Sequence, residues 1–123
     1  MKTLLILVAL TLAPLRAFAV CDGWTSTHTT LESAVLAVHY LDYRQTSEIV
    51  SQPERWQEAN PFMLTPRPSQ HAVDNFFLAT TIFHIIGACA LPPPERTTFQ
   101  LVTFAFNLGV TASNAALGID VRF

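Results

Sequence analysis

Apolar residues run through the chain in three long stretches, each crossed by polar residues at helical spacing. The first, Leu31 to Tyr43, is mainly apolar and continues to about Gln52 with no glycine or proline to stop it. Pro53 then ends it, because proline disfavours helix in the residue before it. At about 100° per residue, Glu32, His39, Asp42 and Thr46 fall within one narrow arc, with Val35 between them. Thr29 to Glu32 reads as a capping box, Thr29 being the N-cap and Glu32 reaching back to it.

A second helix is expected from about Gln70 to Leu91, capped by Ser69 and closed by the Pro92-Pro93-Pro94 run. Its first turn holds His71 and Asp74, and from Asn75 onward His84 is the only strongly polar member. A third follows Glu95-Arg96, from Thr97 to Leu117, and carries no charge. On it Gln100, Thr103, Asn107, Thr111 and Asn114 recur every three or four residues and form one polar stripe. Small residues, including Ala105, Gly109 and Ser113, occupy the opposite side. Small residues let helix backbones approach closely in lipid and amides bond across helices, so Gln100, Asn107, Gly109 and Ser113 are expected to pack against neighbours. Between the first two helices, Pro53 to Glu58 suits a short helix with proline in its first turn. Prolines at 61, 66 and 68 then predict an extended connection. Residues 118–123 read as a short tail.

The N-terminus has a different logic. A positive Met1-Lys2, an apolar run from Thr3 to Leu15 and Ala17-Phe18-Ala19 have the layout of a secretory signal peptide over residues 1–19. Cleavage is expected between Ala19 and Val20, retention as an anchor being the alternative. Residues 20–123 then form a single helical membrane domain.

Composition agrees with a membrane reading. Half of the residues are hydrophobic and 13% are charged, where a soluble domain carries roughly 25%. The net charge of −2 and scattered basic residues give nucleic-acid binding nothing to stand on. The expected fold is all-α: a small transmembrane bundle of about three helices. Arg44, Arg55 and Arg67 fall between the first two helices, against Arg96 alone in the next turn. The positive-inside rule therefore predicts a multi-pass bacterial inner-membrane protein with its mature N-terminus periplasmic. Cys21 and Cys89 then share the oxidising side, where they form either a disulfide or two free thiols.

The candidate chemistry gathers at the inner end. His39, Asp42 and Thr46 on the first helix, Glu58 and Asn60 in the loop, His71 and Asp74 on the second helix and Asn114 on the third form one candidate polar or ion-binding cluster. Imidazoles and carboxylates are the natural donors for a divalent metal, and the same groups serve a proton relay or an acid–base pair. No cofactor is predicted, a divalent metal being the one candidate, and no metalloenzyme spacing such as H-E-x-x-H occurs. Neither a G-x-S-x-G elbow nor a glycine-rich phosphate loop is present, so an enzyme has no motif behind it. The plainer reading is that these groups bond one another and hold three helices in register.

Asp42-x-x-Gln45-Thr46 on a helix, followed by Glu58-x-Asn60-Pro61 and two apolar helices, resembles small uncharacterised membrane proteins of bacteria and their phages. The resemblance spans roughly residues 38–117 and implies a helical membrane protein with no assigned activity. The expected partners are the lipid bilayer, and another copy or a partner membrane protein held through polar helix faces. A structural or interaction role leads. A holin-like pore former and a metal-dependent enzyme using Asp42, Glu58, His71 and Asp74 are the alternatives.

Overall fold

The structure is a computed structural model that describes residues 21–63 and 65–121. The expected signal segment lies outside the described residues. Among the described residues three helices follow one another, α1 (Ser26–Ser51), α2 (Gln70–Ala90) and α3 (Pro93–Ala116), with a 3-10 turn at Pro61–Met63 in the α1–α2 connection. Among the described residues there is no strand. The all-α expectation holds. Among the described residues one helix, α2, is long and apolar enough to cross a membrane, and only 22% of its apolar window is buried.

Each helix begins for a local reason. The start of α1 is Thr25, one turn earlier than the sequence pattern suggested. Thr25 Oγ1 accepts from the His28 N–H, and His28 Nδ1 accepts from the Thr25 N–H at 3.1 Å, so histidine fills the place usually held by glutamate in a capping box. Glu32 is thereby freed from capping and is buried. Ser69 caps α2 by accepting from the Ala72 N–H at 3.2 Å. Pro93 opens α3 in the first turn, where a missing N–H costs nothing, so this helix starts before Thr97. Residues 53–58 form a turn and irregular chain in place of the expected short helix.

α1 is the central element and packs more extensively on α3 than on α2. Where α1 meets α2, Tyr43, Met63, Val73 and Phe77 make an apolar cluster, with Tyr43 and Phe77 edge to face at 5.5 Å. Along α1 and α3 the interior is polar. His28, Glu32, Gln45, Thr46, Thr81, Arg96, Gln100 and Asn107 are all buried. The outside is the reverse: Ile82, Phe83 and Ile86 on α2 and Leu101, Val102, Phe106 and Leu108 on α3 are exposed. Buried polar groups must find partners or lose the free energy of their lost hydration, and these largely do.

The end formed by the α1 N-terminus and the α2–α3 turn is fastened three ways. Cys21 and Cys89 form a disulfide. The Arg96 guanidinium, almost wholly buried, donates to the carbonyls of Asp22, Ala88, Cys89 and Leu91 and lies over the Trp24 ring. Gly23 takes φ +63, and a Cβ there would come within 2.7 Å of Pro93.

Candidate functional site

The contacts between helices sort the polar residues into two groups. In the first, partners are supplied from the facing helix. Gln100 Nε2 donates to Glu32 Oε2 at 2.8 Å and to the His28 carbonyl at 3.1 Å, and the His84 ring meets the same Glu32 oxygen at 3.3 Å while stacking on Phe99. Thr25 N–H donates to His28 Nδ1, so Nε2 carries the proton and donates to Thr97 Oγ1, which passes its own hydrogen to the Pro93 carbonyl. Two turns from the other end, Gln45 Nε2 donates to the Thr111 carbonyl and Asn114 Nδ2 donates to Gln45 Oε1. These residues hold α1 and α3 in register.

The second group surrounds a cavity of about 570 Å³ between the three helices and the connecting loop. His39, Asp42 and Thr46 reach it from α1, Thr80, Thr81 and His84 from α2, and Thr103, Asn107 and Asn114 from α3. Glu58 to Phe62 fold over it from the loop, and Phe76, Phe106 and Val110 form apolar wall. The arc noticed in the sequence explains this convergence, since i, i+3 and i+7 positions share one face of a helix.

The loop is built to aim Glu58. Glu58 donates its backbone N–H to the Pro66 carbonyl at 2.9 Å, and its Oε1 accepts from the Asn60 N–H at 2.8 Å. Asn60 Oδ1 accepts in turn from the Phe62 N–H, and its carbonyl from the Met63 N–H, giving the turn that leads into Pro61–Met63. Glu58 Oε2 remains buried without a hydrogen-bond partner. Asp42 accepts no hydrogen bond from a described residue, and the Glu58 charge repels it. His39 is held by Thr80, Nε2 and Oγ1 lying 3.1 Å apart.

Six of the eight candidate cluster residues, His39, Asp42, Thr46, Glu58, Asn60 and Asn114, therefore line one cavity. His71 and Asp74 do not. Val73 and Phe77 point into the core, so His71, two residues before Val73, is carried about 200° round the helix and is exposed. Asp74 turns sideways instead and accepts from the Tyr43 hydroxyl at 3.0 Å and from Gln70 Nε2 at 2.8 Å. Among the described residues no group of three or more His, Cys, Asp or Glu is placed to hold a metal ion.

The expected packing of α3 divides in the same way. Gln100 and Asn107 are buried against the bundle, but Gly109 has nothing within 4 Å of where a Cβ would stand, and Ser113 is exposed. The small-residue side faces outward because the polar stripe opposite it is what α1 needs. Sequence reasoning missed Arg96, counted there only as a charge in a turn; three carbonyls at the end of the preceding helix were the available signal. No protein-family model, curated protein or solved structure matches the chain.

Proposed function

We propose that the protein is a multi-pass inner-membrane binding protein whose three helices frame a ligand cavity at the cytoplasmic side. The observation that carries the binding reading is the division just described. Glu32, Gln45, Gln100 and Asn114 each bond a neighbouring helix, whereas Asp42 and Glu58 share a cavity and accept no hydrogen bond from another helix among the described residues. A volume near 570 Å³ suits a small molecule, since ligand pockets commonly measure about 300–1,000 Å³.

Support for the membrane placement comes from the reversed polarity of the bundle, apolar outside and polar within. The disulfide end suits the oxidising periplasm, and Arg44, Arg55 and Arg67 sit at or beyond the other end. The outward Ala105, Gly109 and Ser113 face supports a second reading in which another copy or a partner helix packs laterally on α3.

Native mass spectrometry of the protein extracted with its lipids tests the binding reading. A retained small molecule is expected on the wild type and absent from Val110→Trp, which fills the cavity. An empty wild-type protein, or equal occupancy in the two, would count against it. Loss of the protein from the membrane fraction after alkaline carbonate washing would refute the placement.

A further inference from the structure

We infer that the cavity recognises an organic cation with an apolar body, a protonated amine whose ammonium lies between Asp42 and Glu58. The inference rests on the binding reading of the same cavity and adds the chemistry of the occupant. Its first ground is charge. Two carboxylates line the cavity and no lysine or arginine does, so an anion would enter against two like charges with nothing to offset them. Its second is unused hydrogen-bonding capacity. Glu58 is held in place through Oε1 and its backbone, which leaves Oε2 buried and aimed by the loop with no donor. Asp42 likewise receives no hydrogen bond from a described residue. A buried acceptor without a donor, as at Glu58 Oε2, is costly, and a bound ammonium would supply that donor and a counter-charge to both carboxylates.

The walls decide between an organic cation and a bare ion. Phe76 and Val110 present apolar surface to the same space, and the largely exposed Phe62 and Phe106 border it. Aromatic faces attract a cation and bury its hydrocarbon, which a hydrated metal ion would not use. The volume is also about three times that of one ion with six waters, and the described residues hold no three-donor metal group. An uncharged apolar ligand would leave both cavity carboxylates without a counter-charge.

Titration calorimetry on the full chain in lipid nanodiscs tests this with three probes of one shape. These are benzylammonium, its uncharged isostere ethylbenzene, and phenylmethanesulfonate. The cation is expected to bind about tenfold or more tighter than the isostere, each ionic hydrogen bond or charge contact being worth about one such factor, and the sulfonate not at all. Asp42→Asn and Glu58→Gln should each weaken the cation by about tenfold and leave the isostere unchanged. Should Glu58→Gln disturb the loop, Asp42→Asn decides alone, because Asp42 holds no structural hydrogen bond among the described residues. Equal binding of cation and isostere, or cation binding indifferent to Asp42→Asn, overturns the inference while leaving a cavity that binds ligands. Failure of all three probes to bind overturns it as well, and the native mass spectrum then shows separately whether the cavity holds anything.

Discussion

Replacing Arg96 by methionine should unfasten the disulfide end of the bundle. Arg96 Nε donates to the Ala88 carbonyl at 2.6 Å, and Nη2 donates to Leu91 at 2.7 Å, Asp22 at 2.8 Å and Cys89 at 3.3 Å. Ala88 and Cys89 belong to the last turn of α2, where no further helical N–H exists to take their carbonyls. A positive charge there also faces the negative end of the helix dipole. Methionine keeps most of the stem's packing, so the substitution removes chiefly the polar head. Ala88 is completely buried and its carbonyl has no route to water; leaving such an acceptor unpaired costs about 1–3 kcal/mol. The Asp22 carbonyl lies on an exposed residue and can be rehydrated. Against the loss stands the desolvation of the guanidinium, whose Nη1 finds no partner. The net expectation is about 2–4 kcal/mol, or roughly 10–20 °C in melting temperature for a chain of this size. Thermal unfolding followed by tryptophan fluorescence reads it directly, because the guanidinium lies 5.0 Å from the Trp24 ring centre. A change under about 2 °C, with the disulfide intact or reduced, would refute the reasoning.

Three further perturbations follow from the same geometry. Gly23→Ala should destabilise by about 1–3 kcal/mol, since φ is +63 and Pro93 blocks the new methyl, whereas Gly109→Ala, with open space around it, should stabilise by about 0.5–1 kcal/mol; paired thermal melts compare them. Asp42→Asn should raise the melting temperature of the ligand-free protein by a few degrees, about 0.5–1 kcal/mol, because it removes a charge that burial disfavours and Glu58 repels; a lower melting temperature would contradict that. On denaturing gels run after blocking free thiols, the protein should migrate faster without reductant than with it, and Cys89→Ser should abolish the difference.

How far the sequence disclosed this arrangement depends on which interaction decides each feature. The helices themselves were legible, because their limits are set locally, by Ser69 before α2 and by the proline run after it. The arc of His39, Asp42 and Thr46 was legible for the same reason, one helix fixing all three directions. What local pattern cannot give is rotation about the helix axis. His71 and Asp74 share the spacing of His39 and Asp42, yet Val73 and Phe77 turn that helix so that the pair misses the cavity. The N-cap was misplaced because Thr25 and Thr29 both qualify by type. The choice falls to Thr25 once His28 can bond Thr97, 69 residues away, a contact invisible to any window along the chain.

Among the buried polar groups, the pairing along α1 shows what packing alone accounts for. Near one end, His28 and Glu32 meet Thr97, Gln100 and His84; near the other, Gln45 meets Thr111 and Asn114. Each of these side chains finds a partner on the next helix, which is what holding helices in register requires, even though Glu32 Oε1 and Gln100 Oε1 are left without a donor. Asp42 lies between these sets and is given no such partner by the described residues. Facing it across the cavity are Thr103 and Asn107, whose hydroxyl and amide donate within α3 to Phe99 and Thr103. An asparagine or leucine at position 42 would serve register as well without bringing a second carboxylate to Glu58. The loop compounds this by spending the Asn60 N–H on Glu58 and holding that carboxylate over the same space. Two charges placed at the cost of mutual repulsion, with the helices already registered by other residues, are explained by an occupant that carries the opposite charge.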